Sequence, residues 1–157
     1  MARRPEGELR RGWTTGACAT AAAKAAYTAH LTGAFPDPVQ ITLPKGETPS
    51  FALAREGKTE NGTFSAIIKD AGDDPDVTHG ALIRVDIASA EPGDGVIFRA
   101  GDGVGTVTRE GLPLPVGEPA INPMPRKMIQ QAIDETAATH GGTGDVIVTV
   151  SVKNGAT

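Results

Sequence analysis

Apolar residues dominate one stretch near the amino terminus, and their type predicts a helix there. Residues 17–31 are rich in alanine and contain no proline, which favours a helix. The hydroxyl of Thr14 or Thr15 can accept a hydrogen bond from a free backbone N–H group at its start. Gly33 suits a left-handed helix cap and Pro36 forbids continuation, so we expect the helix to end there.

A second helix is predicted from an apolar stripe in the last third of the chain. Proline is tolerated in a first helical turn, so the helix can begin near Pro125. Gly141 and Gly142 are expected to end it. The apolar residues of the stripe, spaced so that they share one face, are Met128, Ile129, Ala132 and Ile133.

Strands are predicted where apolar and polar residues alternate with a period of two. The long segment 81–90 is the clearest, since Ile83, Val85 and Ile87 fall on one face. The dipeptide Asn61-Gly62 predicts a hairpin turn with positive φ at both positions. The full set of predicted strands is 39–43, 51–54, 63–69, 81–90, 96–99, 106–108 and 145–152.

The order of these elements predicts an α+β fold in a single domain spanning residues 1–157. Helices and strands do not alternate regularly, which argues against a doubly wound parallel sheet. We therefore expect a mixed, mostly antiparallel sheet with two main helices packed on it. Only five residues follow the last predicted strand, so we also expect the natural chain to continue.

Composition and charge exclude several classes of function. The 157 residues carry a formal net charge of -4 and only 4% aromatic residues, which argues against a nucleic-acid partner. A single cysteine, Cys18, excludes an internal disulfide and a multi-cysteine metal site. We find no signal peptide and no stretch long enough to span a membrane, so a cytoplasmic location is expected.

The first of four chemistry-bearing segments, residues 11–18, precedes and opens the first predicted helix. Arg11, the hydroxyls of Thr14 and Thr15, and backbone N–H groups near Gly16 could hold an anion at the positive end of the helix dipole. The alternative is a plain helix cap. Cys18 would have a lowered pKa if exposed, or be a small packed residue if buried.

The second segment, residues 69–80, contains four aspartates between two predicted strands. An acidic loop can bind a hard cation, but the spacing fits no EF-hand pattern. A tight turn and a general base remain open as alternatives. Asp70 and Asp73 are the candidate bases, and Lys69 and His79 are candidate substrate-binding residues beside them.

The third and fourth segments combine glycines or prolines with polar residues. Gly101, Asp102, Gly103 and Gly105 either form a hairpin turn or a backbone cradle that a ligand can approach closely. They do not form a dinucleotide-binding loop, since β-forming residues follow instead of a helix. In the segment 122–127, Asn122, Arg126 and Lys127 lie at a helix start, where cations either point away or face an anionic ligand.

Five motifs in this order resemble the CbiD family of cobalamin-biosynthesis methyltransferases, and the resemblance covers nearly the whole chain. The small departures are Trp13 and Met124. The matching motifs are residues 13–19 (WTTGACA), 43–46 (LPKG), 69–78 (KDAGDDPDVT), 101–105 (GDGVG) and 121–126 (INPMPR).

The resemblance implies a cytoplasmic enzyme that transfers a methyl group from S-adenosylmethionine to C1 of cobalt-precorrin-5B, giving cobalt-precorrin-6A. Cobalt would arrive inside the substrate, and no metal bound by the protein is expected. Family members are about twice as long, and the second region is expected to carry much of the S-adenosylmethionine site. A binding domain for phosphate or carboxylate, without catalysis of its own, is the alternative.

A corrin precursor carries many carboxylates, which arginines, lysines and backbone N–H groups can hold. Arg11, Lys45, Arg109 and Arg126 are therefore predicted to bind substrate. Asp70 or Asp73 is predicted to act as the base that removes a proton.

Overall fold

The computed structural model describes residues 15–68, 82–101 and 123–153, which form two helices and seven strands. The two helices are each 18 residues long. In chain order the elements are α1 (Thr15–Thr32), β1 (Val39–Gln40), β2 (Ser50–Phe51), β3 (Arg55–Lys58), β4 (Gly62–Ile68), β5 (Leu82–Ser89), β6 (Val96–Ala100), α2 (Pro123–His140) and β7 (Val146–Lys153).

Five of the strands form one mixed sheet in the order β3-β4-β5-β7-β6. Its neighbours pair antiparallel except β6 and β7, which are parallel and are joined through α2. Strands β1 and β2 form a separate antiparallel pair. This arrangement confirms the predicted α+β class, with helices packed on a mostly antiparallel sheet.

Helix α1 has the predicted extent because its sequence supplies both a helix-forming body and a stop signal. The Gly33 N–H donates to the Ala29 carbonyl at 2.7 Å, and Gly33 has a φ of 84°, a left-handed conformation that favours glycine. Alanine is the commonest residue of α1, and Ala21, Ala22 and Ala25 are completely buried. Such a thin helix can approach the sheet closely.

Two hydroxyl groups of β4 bind the backbone of α1 directly. Thr63 Oγ1 donates to the Ala26 carbonyl and Ser65 Oγ donates to the Ala22 carbonyl, each at 2.6 Å. Both hydroxyls are buried, so these bonds satisfy polar groups that would otherwise be costly inside the core. They also require α1 and β4 to run in opposite directions.

The core lies between the two helices and one face of the sheet. As predicted, Ile83, Val85 and Ile87 share the buried face of β5. The matching residues of β7 and the predicted stripe of α2 complete this core, although Met128 is only partly buried. The contributing residues from β7 and α2 are Val146, Val148, Val150, Ile129, Ala132 and Ile133.

Helix α2 begins at Pro123, two residues before the predicted start near Pro125. Both prolines fit because the first turn of a helix needs no intrahelical N–H donor. Its predicted end is confirmed: Gly141 has a φ of 79°, and the N–H groups of Gly141 and Gly142 both donate to the Ala137 carbonyl.

The predictions for the first strands were partly wrong. Segment 39–43 is a strand only over Val39–Gln40, and 51–54 contributes only Phe51. A strand that was not predicted, β3, follows at Arg55–Lys58. Its sequence is polar at nearly every position, so its pairing with β4, and not its own pattern, determines its conformation. The predicted strand 106–108 lies outside the described residues.

The predicted Asn61-Gly62 turn exists, but its conformation differs from the prediction. In the described ranges only glycines have positive φ, and Gly62 is not among them. The turn is closed by hydrogen bonds between Thr59 and Gly62. Gly62 is required for another reason: a Cβ atom there would collide with the Ile87 carbonyl of the neighbouring strand.

Replacement of Gly62 by alanine should therefore lower the free energy of unfolding by about 2–4 kcal/mol, because the backbone of β4 or β5 must shift. The adjacent Asn61→Ala, at an exposed turn position, serves as the control and should change it by less than about 0.5 kcal/mol. Urea unfolding of both variants measures this. Equal stability of Gly62→Ala and wild type would contradict the proposed collision.

The turn between β5 and β6 is fixed by a carboxylate from the chain segment before β7. Gly95 N–H donates to Asp145 Oδ1 at 2.9 Å, and Asp94 N–H donates to the Glu91 carbonyl at 3.0 Å. Hydrogen bonds from the backbone N–H groups of Gly95 and Gly93 lower the pKa of Asp145, because they stabilise its charged form.

The pKa of Asp145 is lowered in the folded state, so the charged carboxylate stabilises the fold. This contribution to folding stability is fully present above the ordinary aspartate pKa of about 3.9. It is lost as the pH falls through the lowered value. We expect Asp145→Asn to lower the melting temperature at pH 7, with the difference from wild type shrinking below about pH 4. Thermal scans across pH test this, with exposed Asp94→Asn as control. A difference that stays constant with pH would contradict it.

Candidate functional site

Several elements begin or end along one boundary of the five-stranded sheet, the one formed by strand termini and not by an outer strand. Ile68, the last residue of β4, pairs with Leu82, the first of β5, and Leu82 pairs with Lys153, the last of β7. Gly101, which follows β6, donates its N–H to the Val150 carbonyl at 2.8 Å. We call the boundary marked by Ile68, Leu82, Gly101 and Lys153 the motif edge.

Helix α1 begins at the same edge. Ser65 binds Ala22, and Ile68 lies three residues beyond Ser65, a rise of about 10 Å along the strand. Thr15 lies seven residues before Ala22, a rise of about 10.5 Å along the helix in the same direction, because the helix and strand are antiparallel. The start of α1 is therefore level with the end of β4.

Helix α2 also begins at the motif edge, because its other end is anchored at the far end of α1. Gly144 N–H donates to Tyr27 Oη at 2.9 Å, and Gly142 packs closely against Tyr27 and Leu31. At the start of α2, Arg126 Cζ lies 5.2 Å from the centre of the Phe98 ring in β6. The two helices thus run in the same direction, with both amino termini at the motif edge.

This arrangement places four of the five described candidate residues toward the same end of the sheet: Thr15, Gly16, Gly101 and Arg126. Two helix amino termini at one edge produce a positive field from their dipoles, which favours an anionic ligand. Lys45 is not part of it. It is exposed in the turn between β1 and β2, and that pair is tied to the middle of α1 by Lys24, whose Nζ donates to the Gln40 carbonyl at 2.5 Å.

The remaining candidates lie outside the described residues and stay predictions. The chain enters α1 at the motif edge, and it leaves and re-enters the described ranges there at Ile68, Leu82 and Gly101. The predictions outside the described ranges are Arg11, Thr14, Lys69, Asp70, Asp73, His79, Asp102, Gly103, Gly105, Arg109 and Asn122.

Two candidates acquire a packing explanation from the structure. A Cβ atom at Gly101 would come too close to the Ser151 hydroxyl and lie 3.0 Å from the Val150 carbonyl oxygen, so the close pairing of β6 with β7 favours glycine there. The Cys18 side chain is 1% exposed. This confirms the interpretation of Cys18 as a small packed residue and excludes an exposed, reactive thiol. Neither residue needs a ligand to account for it.

A cluster on the other face of the sheet was not predicted. Arg84 Nε and Nη2 donate to the two carboxylate oxygens of Asp86, both at 2.8 Å, and Arg84 Cζ lies 3.8 Å above the Phe64 ring. The hydrogen bond to Asp86 raises the pKa of Arg84. The available signal was the alternation of Arg84 and Asp86 with the buried residues of β5.

The described ranges contain no group of three or more histidine, cysteine or acidic side chains placed to hold a metal ion. Neither of the two described helices has the length and apolar character needed to cross a lipid bilayer.

The chain is similar to methyltransferases and proteins of cobalamin biosynthesis. A model of the CbiD family matches residues 2–157, so the chain belongs to the CbiD family. It is 60% identical over 148 residues to the cobalt-precorrin-5B C(1)-methyltransferase of Brucella anthropi, and 61% identical over 148 residues to that of Brucella ovis.

The similarity extends to a solved structure. The crystal structure of the cobalamin biosynthesis protein CbiD from Archaeoglobus fulgidus matches with a TM-score of 0.68 and 27% sequence identity, covering 94% of this chain and 45% of that one. The Brucella alignments cover 94% of this chain and 40% of the relatives. The chain therefore spans well under half the length of these relatives.

Proposed function

We propose that this chain takes part in the C1 methylation of cobalt-precorrin-5B to cobalt-precorrin-6A, and that it contributes substrate-binding groups to the reaction. The observation that carries this proposal is the 60% identity, along 94% of the chain, to a relative named for that reaction. The match to the CbiD family over residues 2–157 includes the whole motif edge and each of the four chemistry-bearing segments.

The geometry of the motif edge is compatible with such a substrate. A corrin precursor carries several carboxylates, and the amino termini of α1 and α2 offer backbone N–H groups and a positive dipole end to them. Arg126 adds a guanidinium at the start of α2, where the Phe98 ring supports it. Methyl transfer itself depends mainly on positioning the two reactants.

The reaction class supports S-adenosylmethionine as the methyl donor, and cobalt enters as part of the substrate. We assign no residue of this chain to the donor. A second candidate function, binding of a carboxylate-rich molecule without catalysis, is favoured by the chain's 40% share of its curated relatives' length. The same assay separates the two candidates.

The assay incubates the protein, in its natural length, with cobalt-precorrin-5B and S-adenosylmethionine carrying a labelled methyl group. Transfer of the label to C1 of the corrin supports the methyltransferase proposal. Binding of the corrin without transfer, seen as a saturable absorbance change, supports the second candidate. Absence of both contradicts the proposed function.

Arg126→Ala should weaken binding of cobalt-precorrin-5B by about 1.5–3 kcal/mol, the scale of a hydrogen bond to a charged group. The fold should persist, because Arg126 lies near the start of α2 and is not part of the buried core. Absorbance titration measures the affinity, with the exposed Lys58→Ala as a charge-matched control away from the motif edge. Equal affinities of Arg126→Ala and wild type would rule out the contact.

Asp73→Asn should slow methyl transfer by about 10²-fold or more if Asp73 is the general base, because the amide cannot accept the proton. Affinity for the corrin should change little, since the side chains have the same shape. Single-turnover rates test this, with Asp94→Asn as the control. Magnesium or calcium should not raise the melting temperature, and a saturable rise would show a cation site instead.

A further inference from the structure

The sheet face turned away from the helices concentrates positive charge. We call it the open face, and it consists of the residues that alternate with the buried ones in β3 to β7. The described ranges contain nine lysines and arginines and ten acidic residues. Four of the nine, Arg55, Arg84, Arg99 and Lys153, lie on this face with one acid, Asp86, although the whole chain has a net charge of -4.

The central cation of the open face is held in a fixed position. Both oxygens of Asp86 accept hydrogen bonds from Arg84, and Arg84 Cζ lies 3.8 Å from the centre of the Phe64 ring. The Phe64 ring in turn packs over Gly57, where a Cβ atom would come within 2.8 Å of Cε1. Even so, the Arg84 side chain is 39% exposed. A guanidinium held in this way loses little conformational freedom when it binds an anion.

The strand register gives the spacing of the four cations. Arg55 and Arg84 occupy one row across the sheet, two strands or about 10 Å apart. Arg99 lies on the opposite edge strand, about 20 Å from Arg55. Lys153 lies at the motif edge beside Leu82. One small anion cannot contact cations so widely spread, whereas a ligand with several separate carboxylates can.

We propose that the open face binds a rigid, planar ring system carrying several carboxylates, with Arg84 as the central contact and Arg99 and Lys153 as outer contacts. The proposal deepens the proposed function and rests on it for the natural identity of the ligand. Ser151 lies beside Arg84 on the next strand, and Gly101 lies next to Ser151, so small residues separate Arg84 from the outer cations and a flat ring can approach the sheet there. Lys153 joins this face to the motif edge.

The test is an absorbance titration of the purified protein with uroporphyrin I, a planar macrocycle that carries a carboxylate side chain at every peripheral pyrrole position. Wild type should bind it saturably, and Arg99→Gln and Arg84→Gln should each weaken binding about tenfold or more, corresponding to the loss of one charge-assisted contact. Lys58→Gln, an equal loss of charge on the other face of β3, should leave the affinity within about twofold.

Melting temperatures of all variants are measured beside the titration to show that each variant is folded. Arg99 is exposed on an edge strand, so Arg99→Gln should remain folded even if Arg84→Gln does not. Unchanged binding by Arg99→Gln and Arg84→Gln, or an equal loss with Lys58→Gln, would overturn the proposal. If the protein fails to methylate cobalt-precorrin-5B but the titration separates the faces as expected, the surface stands and the proposed function fails. If both arginine variants methylate cobalt-precorrin-5B with an unchanged KM, the proposed function stands and the proposed surface fails.

Discussion

The contact between the alanine surface of α1 and strand β4 determines the positions of the other elements. Two buried hydroxyls, from Thr63 and Ser65, donate to carbonyls of α1 and fix both its direction and its height above the sheet. Larger side chains at Ala22 or Ala25 would hold the helix too far away for these bonds, since both alanines are completely buried. The level of Thr15 at the motif edge follows from this contact.

The amino terminus of α2 lies at the motif edge because β6 and β7 are parallel. A parallel connection needs a crossover, and here α2 supplies it between β6 and β7. The crossover places the start of α2 beyond the carboxyl end of β6, where ligands bind in open sheets with parallel strands. Tyr27 secures the other end of α2 through its bond to Gly144. An otherwise antiparallel sheet thereby gains an anion-favouring edge.

Sequence reasoning predicted the elements whose patterns carry their own signal. The helix α1 and the strands β4, β5 and β7 fall close to their predicted bounds, because composition and alternation determine them locally. Strand β3 was missed, since a polar edge strand takes its conformation from its partner.

The site was predictable as a set of segments but not as an arrangement in space. Glycine and polar motifs marked Thr15, Gly16, Gly101 and Arg126, and only the strand register and helix directions show that they share one edge. Lys45 belonged to the same set of motifs and lies elsewhere. Arg84 was not identified, because an arginine two residues from an aspartate is typical of any solvated strand face until Phe64 and the neighbouring cations are placed around it.

The most direct test of this account is an NMR titration that maps where a carboxylate-rich macrocycle binds. Uroporphyrin I added to the ¹⁵N-labelled protein produces ring-current shifts in nearby amides. The account predicts shifts at Gly101 and Lys153, where the motif edge meets the open face, and at Arg84 and Ser151 on that face, with little change at Gly95. Shifts centred on Gly95 and Gly144, at the opposite end of the sheet, with none at the motif edge, would contradict it.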